Sequence, residues 1–167
     1  MSCLYFVGFQ GAGKTVVGRR ISKHLSIAFC DLDEHICDHL KVDDIKSGYS
    51  LLGEESFRAL EKRLFLKLPK TGVISLGGGA VRVLPFFPKK AAVVYLFRPL
   101  TELENEMRFF MKQGRVPLWV SREDPISSLH NRWKERHGLY KQAATVVVGT
   151  QGKSIDDVKR EVIALYG

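Results

Sequence analysis

The chain reads as an α/β protein: a three-layer, doubly wound sheet of five parallel strands in one domain spanning residues 1–167. Three observations predict it. Short apolar runs rich in β-branched residues recur at Leu4 to Gly8, Ile27 to Asp31, Gly72 to Leu76, Ala92 to Phe97 and Thr145 to Val148, and read as buried strands. Helical periods lie between them, and strands alternating with helices imply parallel pairing through crossovers. At 167 residues the chain can bury one ordinary core, and no linker, repeat or low-complexity tract divides it.

The first strand runs straight into Gly8-Phe9-Gln10-Gly11-Ala12-Gly13-Lys14-Thr15, the pattern G-x-x-x-x-G-K-[ST]. Gly8, Gly11 and Gly13, with the small Ala12, let successive backbone N–H groups turn inward around phosphates. Lys14 supplies a point charge for the β- and γ-phosphates. Thr15 opens a helix over Lys14 to Leu25, so its hydroxyl can ligate Mg²⁺ while the helix N-terminus faces the anion. Val16, Val17, Ile21 and Leu25 follow the helical period of that segment. A glycine-rich turn that binds nothing is the plain alternative, and the strand-loop-helix context argues against it.

The second strand ends in Asp31-Leu32-Asp33, where extended backbone puts both carboxylates on one side at the ligand-facing edge. Asp31 then suits a Mg²⁺-bound water, and Asp33 suits a hydroxyl that it orients or deprotonates. Capping of the next helix is the alternative use of such acids. Phe57, Leu60, Leu64 and Leu68 repeat at helical spacing before the third strand, and within that stretch Arg58 and Glu61 stand one turn apart. Such pairs are common on helix surfaces and contribute little, so taken alone this one reads first as structural; the functional alternative is that the pairing orients the guanidinium toward a ligand carboxylate. Leu76 runs into Gly77-Gly78-Gly79, which predicts a close approach to the backbone at a strand's carboxyl end.

Between the fourth and fifth strands, residues 112–125 read as a lid, with Gly114-Arg115-Val116-Pro117-Leu118-Trp119 at one end and Asp124-Pro125 at the other. Its closure would bring Arg115 onto the phosphates and shut out water. Arg136 ends the next helical stretch, where it can reach a carboxylate from the opposite side. His137 shows no partner in the sequence and reads as a surface residue; His24, His35, His39 and His130 lack metal-ligand company. Ser154, with Asp157 three residues on, makes a capping-box start for a last helix carrying Ile155, Val158, Val162 and Leu165.

Composition narrows the classes. A 45% hydrophobic, 26% charged chain is globular rather than disordered. No apolar stretch approaches the roughly 20 residues of a membrane span, and Met1 to Val7 reads as the first strand rather than a leader. The net charge of +8 is spread along the chain, with no basic block interleaved with aromatics, which argues against nucleic acid and for small anionic substrates. Cys3, Cys30 and Cys37 have no metal-ligand spacing and read as small hydrophobes of a reduced, cytoplasmic protein.

Taken in order, Gly8 to Thr15, Asp31-Leu32-Asp33, Phe57-Arg58 with Glu61, Gly77-Gly78-Gly79-Ala80-Val81, Arg115, and Arg136 before Leu139-Tyr140 resemble the shikimate kinase family over nearly the whole chain. The resemblance implies a P-loop kinase fold with a lid segment. It also implies transfer of the γ-phosphoryl group of ATP to the 3-hydroxyl of shikimate, in chorismate and aromatic amino-acid biosynthesis. Carried over, ATP is the co-substrate and Mg²⁺ the cofactor, held by Thr15 and, through water, Asp31. Lys14, Asp33 and Arg115 are the catalytic candidates. ATP would meet Gly8, Gly11, Ala12, Gly13, Lys14, Thr15, Arg108 and Arg115, with Arg108 stacking on adenine. Shikimate would meet Asp33, Phe57, Arg58, Gly77, Gly78, Gly79 and Arg136. A monomer with no membrane or nucleic-acid partner is expected.

The chain departs from the family pattern twice. Val116 intervenes between Arg115 and Pro117, and Gly138 stands where the family has proline, which loosens the backbone behind Arg136. Neither change removes a reacting group. The alternatives are another small-metabolite P-loop kinase, such as one for gluconate, a non-catalytic nucleotide-binding module, and a nucleic-acid-dependent ATPase.

Overall fold

The computed structural model describes residues 3–84, 87–116 and 120–166. Five strands, β1 (Leu4–Val7), β2 (Phe29–Asp31), β3 (Val73–Ser75), β4 (Ala92–Phe97) and β5 (Val146–Gly149), form one parallel sheet in the order β2-β3-β1-β4-β5. Between and after them run α1 (Lys14–Leu25), α2 (Leu32–Leu40), α3 (Ile45–Phe65), a 3₁₀ turn at Ala80–Arg82, α4 (Leu100–Lys112), α5 (Pro125–Ala143) and α6 (Ile155–Tyr166).

Alternation along the strands sorts the core into two layers. Tyr5 and Val7 of β1, with Val93 and Tyr95 of β4, pack under α2, α3, α4 and α5. Leu4, Phe6, Val94 and Leu96 point the other way, against Val17 and Ile21 of α1 and Val158 and Val162 of α6. Successive side chains of a strand face opposite sides, so a sheet covered on both faces needs both sets apolar. The predicted three-layer, doubly wound fold is the one observed. The chain leaves β1 for β2, returns to β3 and then crosses to β4 beyond β1. That reversal opens a crevice at the carboxyl ends of β1 and its neighbours, where ligands of such sheets bind.

Boundaries differ where local signals compete. Helix α1 has the predicted bounds. Strand β2 stops at Asp31, which caps α2 by accepting from the N–H groups of Asp33 and Glu34. Asp33 is therefore in the first helical turn and not on an extended strand, because the carboxylate of Asp31 turns the chain first. Helix α3 begins at Ile45, well ahead of the predicted stretch, and is broken at Gly53 (φ 72°, ψ 168°); Leu68 lies past its end but stays buried. The capping box of α6 forms as read: Ser154 N–H donates to Asp157 Oδ2 (3.0 Å), and Asp157 N–H to Ser154 Oγ (3.1 Å).

Of the predicted lid, Pro117, Leu118 and Trp119 lie outside the described residues. Its flanks are anchored: Val116 packs partly buried on the larger core layer, and Val120 is buried in it. The valine inserted after Arg115 thus has a packing role. Among the described residues no helix is long and apolar enough to cross a membrane.

Gly138 sits inside the continuous helix α5, and nothing stands within 4 Å of where its Cβ would be. The backbone behind Arg136 is therefore continuous helix. Glycine costs a helix interior about 0.5–1 kcal/mol relative to alanine. Gly138→Ala is expected to raise the melting temperature by a few degrees, read by thermal denaturation.

Candidate active site

The phosphate cradle follows β1. Gly13, with φ 88°, precedes α1 in a left-handed conformation that L side chains resist. Lys14 is 9% exposed, and its Nζ donates to the carbonyls of Gly8 (2.9 Å) and Phe9 (3.0 Å). Burial lowers its pKa to about 8, against the opposing pull of Asp33 and Asp31.

The Thr15 hydroxyl donates to Asp31 Oδ2 at 2.7 Å and lies 3.4 Å from Ser75 Oγ, itself 1% exposed. Asp31 therefore caps α2 and also accepts from Thr15. The donors gathered here are all oxygens, as a hard cation such as Mg²⁺ requires, and few protein ligands are needed when phosphates and water complete its shell. Among the described residues no group of three or more His, Cys, Asp or Glu could hold a metal by itself. Ser75 went unnoticed in the sequence because a serine inside an apolar strand carries no signal until β2 pairs Asp31 with it.

The three glycines after β3 show what comes close to them. A Cβ on Gly77 would run into the Asp33 carboxylate, and one on Gly79 would stand 2.8 Å from Arg58 Cζ. Gly78 has Arg136 Nη1 3.6 Å from the same position, and its carbonyl accepts from the buried Tyr140 hydroxyl. At Gly77 and Gly79 the missing Cβ lets an acid and a guanidinium rest directly on the backbone, while at Gly78 a Cβ would meet only ordinary contacts.

The Asp33 carboxyl is pushed up to about 7, first by burial and then by Asp31 and Glu61, while Lys14 and Arg58 oppose the shift. Arg58 donates to Glu61 at 2.5 Å, with Glu61 only 1% exposed. The guanidinium of Arg58 also lies over Tyr49, 5.1 Å from its ring, and Tyr49 stacks on the buried Phe57 at 4.0 Å. Phe57 thus serves the site as the support of Tyr49. Arg136 is 7% exposed over Phe9, 6.0 Å from its ring. The Nε atoms of both arginines are buried and without a protein partner. Buried donors left open are costly, and these two lie beside one glycine wall.

Lys14, Thr15, Asp31, Asp33, Arg58, the three glycines and Arg136 are thus drawn to one crevice from five separate stretches of chain. Arg108 and Arg115 are not: both are exposed, and the Arg115 N–H closes the turn after α4 on the Phe110 carbonyl (2.9 Å). His137 corrects the surface reading, since its Nδ1 shares a hydrogen bond with the Tyr95 hydroxyl (2.9 Å) and its ring stacks on Trp133 (4.4 Å). Only packing α5 on β4 reveals that pair.

A P-loop on a doubly wound sheet, facing paired arginines and a half-buried aspartate, defines a nucleotide-dependent phosphotransferase for a small acidic acceptor. The comparisons agree. The family model for shikimate kinase matches residues 10–166. A shikimate kinase of Dictyoglomus turgidum is 37% identical, covering 97% of this chain and 95% of its own. One of Pseudoalteromonas translucida is 33% identical over 96% of this chain and 94% of its own. Among solved structures, shikimate kinase from Acinetobacter baumannii in complex with shikimate superposes with a TM-score of 0.78 at 25% identity, covering 99% of this chain and 93% of that one. The enzyme from Aquifex aeolicus gives 0.76 at 27% identity, with 97% and 94% covered. The chain belongs to the shikimate kinase family.

Proposed function

We propose that the crevice binds shikimate by its carboxylate between Arg58 and Arg136 and presents the 3-hydroxyl to Asp33, opposite ATP seated in the P-loop. The activity is ATP-dependent phosphorylation of shikimate, a step of aromatic biosynthesis. The observation that carries the residue assignment is the pair of buried arginines with open Nε donors on the wall that also receives Asp33.

Each group then has a task. Arg58, braced by Glu61 and Tyr49, and Arg136 form charge-assisted hydrogen bonds to the carboxylate and fix the ring's orientation. Gly78 and Gly79 let the substrate lie against bare backbone. Asp33 accepts the hydroxyl proton or aims the oxygen at the γ-phosphorus, and burial gives it a basicity suited to that work near neutral pH. Lys14 leaves the Gly8 and Phe9 carbonyls for the β- and γ-phosphates and stays where charge develops. Arg115 closes over the phosphates from the solvent side, and Arg108 stacks on adenine. Thr15, with Asp31 behind it through water, holds Mg²⁺, which when bound neutralises phosphate charge. The same reading makes the protein a cytoplasmic monomer acting on small molecules, without nucleic acid or membrane.

ADP release by the purified protein, compared with shikimate, gluconate, a nucleoside monophosphate, single-stranded DNA and no acceptor, tests this. Release that requires shikimate supports the assignment; release with gluconate or without acceptor overturns it. Arg136→Ala is expected to raise KM for shikimate by about 10²-fold with a smaller change in kcat, the loss anticipated for a charge-assisted pair to a carboxylate. Steady-state kinetics with shikimate varied at saturating ATP check it.

A further inference from the structure

Arg98, just past β4, has no place in the chemistry above, yet it lies against the phosphate cradle. Its side chain is 17% exposed. Nη1 donates to Glu106 Oε2 at 2.8 Å, and Nε lies 3.5 Å from Glu102 Oε2, so the guanidinium is held along one face of α4. The same Nη1 stands 2.9 Å from where a Cβ on Gly11 would be, and Glu106 Oε2 stands 3.7 Å from it. Gly11 has φ +79° and belongs to the loop whose N–H groups receive the phosphates. The arginine therefore joins two bodies that share no covalent turn: the outer face of the P-loop, and the helix that carries Arg108 and runs into the lid.

We propose that Arg98 is a nucleotide-positioning residue, a clamp that holds the P-loop in its phosphate-ready curl by seating Gly11 against a guanidinium fixed by Glu102 and Glu106. Its planar fork is what the role requires: two carboxylates fix its plane, and a flat edge lies on a backbone that has no side chain in the way. A lysine has neither the fork nor the plane. Because the P-loop binds through backbone N–H groups, its affinity depends on the loop keeping one curvature, and a loose loop must be ordered at the expense of binding energy. The clamp bears on nucleotide first, because it meets the P-loop at Gly11, whereas the loop's share in the shikimate wall is Phe9 under Arg136 and the Gly8 and Gln10 backbone beside Gly78.

The inference rests on the P-loop's taking nucleotide, so ADP binding by the unaltered protein is the reference. Titration of a fluorescent N-methylanthraniloyl ADP gives Kd, and steady-state kinetics give both KM values. Arg98→Ala is expected to weaken ADP binding roughly tenfold and to raise KM for ATP in parallel, with KM for shikimate within about twofold. Arg98→Lys should not restore affinity. Glu106→Gln, which keeps the packing and guards against a folding failure in the arginine variants, should weaken ADP binding in the same direction. Unchanged ADP affinity in Arg98→Ala, an equal loss for both substrates, or tighter ADP binding in Glu106→Gln would overturn the clamp. The last result would mean that only net charge near the phosphates matters. Failure of the unaltered protein to bind ADP would instead remove the nucleotide reading on which the inference stands.

Discussion

Asp33→Asn is expected to lower kcat by about 10³-fold while leaving both substrates able to bind, in the range by which a positioned general base accelerates a reaction. Asparagine keeps the shape that fits against Gly77 but cannot take a proton. The pH dependence carries the same signature. In the free protein the Asp33 carboxyl titrates at about 7, so kcat/KM should climb as pH rises through 7, where the carboxylate appears. Lys14 loses its charge near 8, so kcat/KM should fall above that, giving a narrow bell whose two limbs belong to the coupled pair. The variant should lose the acid limb from what activity remains; an unchanged profile in Asp33→Asn would assign the limb elsewhere.

Stability should move the other way. A carboxyl raised from an ordinary 3.8 to about 7 in the folded protein prefers its proton there, so folding is penalised progressively as pH rises from about 4 to 7 and fully above 7. Asparagine removes the penalty. Asp33→Asn should therefore melt higher than the parent at pH 8 and show little difference at pH 4, measured by thermal denaturation at both pH values. A catalytic group that burdens the fold is a common trade between activity and stability.

The second large effect is expected from Lys14→Met, which should reduce kcat by about 10²–10³-fold and weaken ATP binding, the loss seen when a preorganised charge is removed from a site of developing negative charge. The ammonium sits in a pocket with 9% exposure, satisfied by two loop carbonyls that phosphates displace. The charge is already desolvated within the loop, so on ATP binding it exchanges the Gly8 and Phe9 carbonyls for phosphate oxygens. Pre-steady-state quench of a single turnover isolates the chemical step; a near-parental rate with only ATP affinity reduced would show that Lys14 merely binds.

Much of this was legible in residue order. The cradle from Gly8 to Thr15 is made of consecutive backbone, so its glycines, its lysine and the bounds of α1 follow from local rules. Strand β4 was legible for the same reason: an apolar run of strand length has few other uses. Less visible were features in which two local preferences compete. Asp31 reads equally as strand end or helix cap, and the cap decides the conformation of Asp33. The triple glycine shows that something approaches, without showing what: Asp33 and Arg58 come from α2 and α3, far from it along the chain.

By itself the sequence determined the fold class, the nucleotide cradle and the set of charged residues available for chemistry, because each rests on spacing within a few residues. Only tertiary structure decided which charges are buried, that Ser75 joins Thr15 and Asp31, that His137 is tied to Tyr95, and that Arg98 bears on Gly11. The reason is physical. Burial and long-range contact depend on how the two faces of the sheet are covered, and a shift of one residue in any strand would turn its inward groups to the opposite layer.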